Sequence, residues 1–248
     1  MAFLHAPGND AVMARRVRIR LEGAADSISG LVDAPRAASA ALVLAHGAGA
    51  GMEHPFMSAV AQGLADRDLA VLRFQFPFME RGSRRPDGPA VAHAAIRAAV
   101  RVAAGRFGDL PLYAGGKSFG GRMTSQAQSQ NPLPGVRGLF FLGFPLHPAG
   151  KTSTQRAAHL ADVRIPMLIV QGTRDALGST RSLQRVITHL KLAARLHPVS
   201  QADHAFHVPA RSGRTDQAVL EDVIDVLAQW ITGPPKRAAR SRRVTPSI

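Results

Sequence analysis

The sequence predicts an α/β domain built on a mostly parallel β-sheet with helices on both faces. Short apolar runs alternate along the chain with segments whose apolar residues recur every three or four positions, and this alternation is typical of right-handed βαβ units. With 248 residues, 46% of them hydrophobic, the chain can bury a substantial core. The lack of cysteine excludes disulfides, thiolate zinc sites and a cysteine nucleophile.

Strands are predicted where apolar residues alternate or run without interruption. The first two segments alternate around Gly23–Asp26 and predict an antiparallel hairpin at the sheet edge. Residues 41–45 form a continuous apolar run, which is typical of a strand buried on both faces. The predicted strands, in order, are residues 17–22, 28–32, 41–45, 69–74, 110–114, 136–142, 165–171 and 194–199.

Helices are predicted from apolar residues at helical spacing between these strands. The first carries Phe56, Val60 and Leu64 four residues apart, and the second is rich in alanine between Pro89 and Gly105. The predicted helices, in order, are residues 55–66, 89–105, 119–130, 179–190 and 216–231.

One domain is predicted over residues 17–233, after an N-terminal extension of residues 1–16. Residues 234–248 follow two prolines and form a polar, basic tail that we expect to be disordered. Only 22 residues separate the strands predicted at 136–142 and 165–171. This connection is too short for a large cap domain, so we expect an open site.

The net charge of +14 comes largely from arginine, since only four of the 31 basic residues are lysine. The basic residues are spread along the chain, and aromatic residues, which would stack on bases, make up only 5%. This pattern argues against nucleic-acid binding, although the basic tail leaves such a contact open. No leader or membrane-spanning segment is recognised, so a cytoplasmic protein with a small-molecule partner and no membrane association is expected.

A G-x-S-x-G motif, Gly116-Lys117-Ser118-Phe119-Gly120, lies between a predicted strand and a predicted helix. A nucleophile elbow needs this setting, because the turn is too tight for side chains beside the serine. One alternative is a glycine-rich helix start in which the serine only caps the helix. A P-loop is excluded because Pro111 occupies the position of its first glycine.

Asp175 and His204 are the predicted partners of Ser118. Each follows a predicted parallel strand, and strand ends of this kind gather at one edge of the sheet. In the order serine, aspartate, histidine, His204 would act as the base and Asp175 would orient it. Asp203 and His207 are the alternative acid and base.

The glycine-rich loop that follows the strand at 41–45 begins with His46 and Gly47. It predicts an oxyanion hole made by the backbone amides of Ala48 and Phe119. A dinucleotide-binding loop is excluded because Met52 replaces the third glycine of that pattern.

Pocket residues are predicted around this loop. The candidates for the substrate pocket are His46, Gly47, His147 and Arg73. Arg73 stands in sequence near Arg81, Arg84 and Arg85, which would favour a carboxylate-bearing substrate or form a solvated basic loop. No metal and no cofactor are predicted.

Together these motifs resemble the α/β-hydrolase superfamily, especially its small dienelactone-hydrolase-like members. Segments such as HGAGAGMEHPFM, GGKSFGGRMTS, VQGTRDALG and DHAFHVPARSGRT are similar to a bacterial group related to testis-expressed protein 30 and to a domain of subunit three of the NSL histone-acetyltransferase complex. The resemblance covers roughly residues 17–231 and implies an α/β-hydrolase fold with Ser118, Asp175 and His204 as its triad. Ala205 departs from the serine expected in relatives.

The sequence therefore predicts a serine hydrolase that cleaves small esters or related acyl compounds through an acyl-enzyme. The alternative is a non-catalytic binding scaffold of the same fold, whose basic tail contacts anionic partners.

Overall fold

The computed structural model describes residues 13–22 and 27–233. The strands are β1 (Arg15–Arg20), β2 (Ser27–Asp33), β3 (Ala40–Ala45), β4 (Leu69–Phe74), β5 (Leu112–Lys117), β6 (Val136–Leu142), β7 (Met167–Gly172) and β8 (Ala194–Val199). The α-helices are α1 (Pro55–Ala65), α2 (Pro77–Glu80), α3 (Pro89–Phe107), α4 (Phe119–Gln130), α5 (Thr180–His189) and α6 (Asp216–Thr232). The predicted hairpin turn and tail, and most of the predicted N-terminal extension, lie outside the described residues.

All eight strands form one sheet in the order β1-β2-β4-β3-β5-β6-β7-β8. The strands from β4 across to β8 are parallel, while β2 runs antiparallel to both β1 and β4. The predicted fold class is confirmed, including the antiparallel hairpin at the edge. In a parallel sheet of this kind the C-terminal ends of β3, β5, β7 and β8 lie along the same edge.

Helices cover both faces of the sheet. Apolar residues of α1 and α6, such as Leu64 and Leu227, join one buried cluster with the sheet. The opposite face is covered by α3, α4 and α5 through residues such as Ile96, Met123 and Leu183. Because the central strands are buried on both sides, β3 is entirely apolar and β4 is apolar except for Arg73.

Several predicted boundaries are wrong, and the first strand begins at Arg15, inside the predicted N-terminal extension. The shifts at β5 and α3 have a clear physical cause. Strand β5 begins and ends later than predicted, because Gly115 and Gly116 belong to the strand rather than to a turn. A Cβ at Gly115 would lie 1.9 Å from the carbonyl oxygen of Phe140, so only glycine allows β6 to approach this closely. Helix α3 continues past Gly105 to Phe107 and ends at Gly108, whose φ of 57° suits glycine.

Three short helical segments are present that the periodicity does not predict: α2 and the 3₁₀ helices Gln155–Asp162 and Ala210–Ser212. The longer 3₁₀ helix lies in the connection between β6 and β7, which contains no large cap domain. Within the described part of the chain, no helix has the length and apolar character required to span a membrane.

Candidate active site

Ser118 occupies a one-residue turn between β5, which ends at Lys117, and α4, which begins at Phe119. Its φ of 49° and ψ of −111° are values that residues other than glycine rarely adopt. The predicted strand–turn–helix setting is therefore present. The turn places Ser118 at the C-terminal edge of the sheet, at the start of a helix.

The glycines beside Ser118 allow its turn to lie against strand β3. A Cβ at Gly116 would lie 2.1 Å from the carbonyl oxygen of Ala45, and a Cβ at Gly120 would lie 2.5 Å from that oxygen. Both distances are far below van der Waals contact. Any other residue at either position would push α4 and Ser118 away from the sheet.

His204 and Asp175 lie beside Ser118 and form a continuous hydrogen-bonded chain with it. The Ser118 hydroxyl is 2.8 Å from Nε2 of His204, and Nδ1 of His204 is 2.7 Å from Oδ2 of Asp175. Because a carboxylate only accepts, Nδ1 carries a proton and Nε2 is left to accept from Ser118. This tautomer leaves His204 able to act as a general base.

The Asp175 carboxylate is buried and held in place by two further donors. Nε2 of Gln171 donates to Oδ2 at 2.8 Å, and the backbone amide of Leu177 donates to Oδ1 at 2.8 Å. Gln171 was not predicted as a site residue, although a polar side chain in the strand MLIVQG is a usable signal. It also binds the backbone amide of Phe144, so it joins the loops after β6 and β7.

The alternative acid and base have other partners. Asp203 accepts hydrogen bonds from the backbone amides of Ala205 and His207 and so shapes the turn around His204. His207 is exposed, and its hydrogen bond to Asp216 raises the pKa of the imidazole. Neither side chain takes part in the contacts of Ser118.

His46, predicted to line the substrate pocket, is instead fully buried. Its Nδ1 donates to the carbonyl oxygen of Gly47 at 2.7 Å, and its Nε2 accepts from the backbone amide of Phe76 at 3.0 Å. Burial lowers the pKa of His46 to about 4, so the ring is neutral. His46 thus fastens the early loop to the segment after β4, which agrees with an orienting or packing role.

Gly47 lies directly against the nucleophile turn, since a Cβ at this position would be 3.9 Å from the Cβ of Ser118. Ala48 follows Gly47 in the loop after β3 and is partly exposed. Phe119 is the first residue of α4, where the backbone amide has no acceptor within the helix. The loop and the helix start thus flank Ser118 from two sides, and the oxyanion-hole role of Ala48 and Phe119 stays a prediction.

Arg73 is not a pocket residue, contrary to the prediction, because it is 3% exposed. Its guanidinium forms a bidentate pair with Asp33, with the closest contact at 3.0 Å. It also donates to the carbonyl oxygen of Met52 and to the hydroxyl of Ser58. Arg73 is therefore a buried residue of β4, and every nitrogen of its guanidinium is hydrogen-bonded within the protein.

Lys117, the variable residue before the nucleophile, was not predicted as a site residue. Its Nζ donates to the carbonyl oxygen of His204 and lies 5.3 Å from the centre of the Phe206 ring. Burial lowers the pKa of Lys117 to about 8, although Asp175 and Asp203 raise it. Lys117 therefore ties the loop that carries the base to the strand that carries the nucleophile.

The profile of a protein family described as an alpha/beta hydrolase domain matches residues 38–232, which is most of the chain. The chain belongs to the α/β-hydrolase family. The match spans β3 to α6 and therefore includes Ser118, Asp175 and His204.

Solved structures share the fold of this α/β-hydrolase. A dienelactone hydrolase from Anabaena variabilis is 19% identical with a TM-score of 0.72, covering 88% of this chain and 96% of that one. A serine hydrolase without a lid from Xanthomonas campestris is 18% identical with a TM-score of 0.68, covering 90% and 97% of the two chains. At these identities the likeness establishes the fold alone.

Two adjoining hollows of this α/β-hydrolase share His147 and Ser153, and Ser118 itself lines neither of them. The first, of about 430 Å³, reaches Asp175, and the second, of about 320 Å³, reaches Arg122. His147 lines both hollows, and its role in substrate binding stays a prediction. Among the residues described, no three His, Asp or Glu side chains are grouped so as to hold a metal ion.

Proposed function

We propose that this α/β-hydrolase is a serine hydrolase that cleaves small esters or related acyl compounds through an acyl-enzyme. The observation that carries the proposal is the hydrogen-bonded chain from Ser118 through His204 to Asp175, at 2.8 and 2.7 Å. Such a chain removes the proton from a hydroxyl that is otherwise a weak nucleophile at neutral pH.

In the first half of the reaction, Oγ of Ser118 attacks the acyl carbon while Nε2 of His204 takes its proton. The backbone amides of Ala48 and Phe119 would stabilise the negative charge that develops on the former carbonyl oxygen. The imidazolium, stabilised by Asp175, then protonates the leaving group, whose bond to the acyl carbon breaks. The acyl group remains on Ser118 as an ester.

In the second half, water replaces the leaving group. Nε2 of His204 takes a proton from the water, whose oxygen attacks the acyl carbon of the intermediate. The proton then returns to Oγ of Ser118 as the acyl–oxygen bond breaks and the acid departs. No redox change and no further reactant are involved.

Small substrates are favoured because, within residues 13–22 and 27–233, no large cap domain covers the edge of the sheet where Ser118 stands. The similar structures include a dienelactone hydrolase and the esterase domain of a Rhodothermus marinus protein, which supports ester-like substrates as the class to test first. We also propose that, within the α/β-hydrolase family, the chain belongs to the bacterial group related to testis-expressed protein 30.

Labelling with a fluorophosphonate probe tests the proposal, with mass spectrometry to locate the adduct. We expect label on Ser118, none in Ser118→Ala, and a loss of esterase activity of about 10⁴-fold or more in that variant. Ser125→Ala is a matched control, because Ser125 also contacts a histidine, His159, at 2.8 Å, but is fully buried. This control should label like the wild type.

Two results would contradict the proposal. Folded wild-type protein that takes no label would favour the non-catalytic scaffold. Label that persists in Ser118→Ala would assign the nucleophile to another residue.

A further inference from the structure

Arg122 is an unusual arginine because it is half-buried and its guanidinium has neither an acidic partner nor a hydrogen bond among the described residues. Its Nε is buried and makes no hydrogen bond there. Three other sheltered arginines have partners: Arg73 pairs with Asp33, Arg67 pairs with Glu221 and Asp225, and Arg97 donates to backbone carbonyl oxygens. Burying an unpaired charge is unfavourable, and Arg122 therefore lacks a counterion that its setting calls for.

A second arginine stands beside it. Arg156 lines the same hollow of about 320 Å³ and likewise has no ion pair among the described residues. Burial, and next the charge of Arg156, lowers the pKa of Arg122. No acidic residue lines this hollow, so two guanidinium groups repel each other across a cleft that no carboxylate neutralises.

Arg122, which lines the hollow, also lies close to the nucleophile. The backbone amide of Arg122 donates to the carbonyl oxygen of Ser118 at 3.0 Å, so the two residues are one helical turn apart, about 6 Å along the axis. His147 and Ser153 line both this hollow and the neighbouring one that reaches Asp175. A group held by Arg122 and Arg156 would thus be linked to the reacting acyl carbon by a short chain.

From these contacts we infer that Arg122 and Arg156 form a subsite for an anionic oxygen group, a carboxylate or a phosphate, carried by the substrate. Guanidinium groups bind either anion through paired N–H donors. The inference rests on the proposed hydrolase function and narrows its substrates to acyl compounds with a negative charge a few bonds from the scissile carbonyl.

Binding tests the subsite without catalysis. Calorimetric titration of the Ser118→Ala protein with methyl hydrogen succinate and with uncharged dimethyl succinate should show at least a tenfold preference for the charged ester. Arg122→Gln and Arg156→Gln, made separately, should each lower that preference several-fold. Arg137→Gln is the matched control, because Arg137 is an exposed arginine near the start of β6, at the other end of the sheet, and should leave the preference unchanged.

Competition identifies the anion. Succinate that displaces the charged ester at lower concentration than inorganic phosphate would assign a carboxylate, and the reverse order would assign a phosphate. The inference is overturned if the two esters bind alike, or if the preference survives both arginine substitutions.

Hydrolysis by the wild-type protein separates this inference from the function it rests on. A binding preference that depends on Arg122, without hydrolysis of either ester or labelling of Ser118, would refute the hydrolase and leave the anion site standing. Hydrolysis of both esters at equal kcat/KM would refute the subsite and leave the hydrolase standing.

Discussion

The backbone at Ser118 is held in a conformation that its side chain disfavours. A φ of 49° with a ψ of −111° lies outside the regions allowed to residues with a Cβ, and such a residue costs on the order of 1–3 kcal/mol. The surrounding contacts maintain it, since the turn is fixed by β5, by α4 and by the close approach to β3.

We predict that Ser118→Gly is more stable than Ser118→Ala by about 1 kcal/mol, because only glycine relieves this backbone strain. Both variants lose the hydroxyl, so the comparison isolates the backbone. At Ser129 in α4 the order should reverse, with alanine more stable by about 0.5–1 kcal/mol, as is usual within a helix. Urea unfolding measures all four variants, and equal stability of the two Ser118 variants would contradict the strain.

Lys117 carries its charge in a buried setting, where burial lowers its pKa to about 8. In the unfolded chain its pKa is near 10.5. Between these values the unfolded state holds a proton that the folded state has released, so stability rises with pH across this range.

We predict that the free energy of unfolding of the wild type, relative to Lys117→Met, increases by on the order of 2 kcal/mol from pH 8 to pH 10.5. Urea unfolding at several pH values measures this difference. Lys151→Met, at an exposed lysine, should show a difference that does not vary with pH. A flat difference for Lys117→Met as well would show that its amine titrates normally.

At the scale of elements, the Arg73–Asp33 pair joins the antiparallel part of the sheet to the parallel part. Arg73 lies in β4 and Asp33 ends β2, and both side chains are nearly inaccessible to solvent. Burial raises the pKa of Asp33, although Arg73 lowers it. Removing one partner leaves the charge of the other buried and unpaired.

We predict that Arg73→Met lowers the free energy of unfolding by about 3–5 kcal/mol, because it leaves the Asp33 carboxylate buried and unpaired. Adding Asp33→Leu should recover part of this loss. Arg16→Met, which breaks the exposed pair with Glu53, should cost no more than about 1 kcal/mol. Chemical denaturation compares the three, and a loss for Arg73→Met as small as for Arg16→Met would contradict the assignment.

The boundaries of elements were predictable where a strand is buried on both faces. They were missed where close backbone contacts determine where the element begins or ends. The strand at 69–74, the helix at 119–130 and the strand at 136–142 were predicted residue for residue, because the strands are mostly apolar and the helix has a clear start. Strand β5 was misplaced because Gly115 and Gly116 resemble a turn in sequence. Helix α2 has only four residues, too few to show a period.

Site residues were likewise predictable where they follow a strand in sequence, and were missed where contacts between distant segments decide. Ser118, Asp175 and His204 were predicted because each directly follows a strand, and the structure brings their side chains into contact. Arg73 was misassigned because sequence alone does not reveal that Asp33 lies beside it. The arginine pair escaped notice because Arg122 and Arg156 belong to separate helices, which meet only in the folded chain.

At the scale of the whole molecule, two neutral histidines, the buried His46 and the half-buried His159, make stability depend on pH. Burial lowers the pKa of both His46 and His159 to about 4 from an ordinary value of 6.5. Their contribution to stability is complete above pH 6.5 and is lost as the pH falls towards 4, because the unfolded state takes up protons first.

We predict that the free energy of unfolding falls between pH 6 and pH 4 by up to about 1.4 kcal/mol per pH unit for each of these histidines. Replacing one of them, as in His159→Gln, should remove that histidine's contribution to the slope of the free energy of unfolding against pH. His189→Gln, at an exposed histidine, should leave the slope unchanged. Urea unfolding across this pH range decides, and a slope unaffected by His159→Gln would contradict the prediction.

The strained turn at Ser118 also bears on how this chain changes over generations. Glycine at position 118 would relieve the strain, so a lineage released from selection for hydrolysis would gain stability by discarding its serine. Selection for stability would then favour replacement of the serine. A serine found at this position throughout a set of relatives would therefore indicate that its hydroxyl is used.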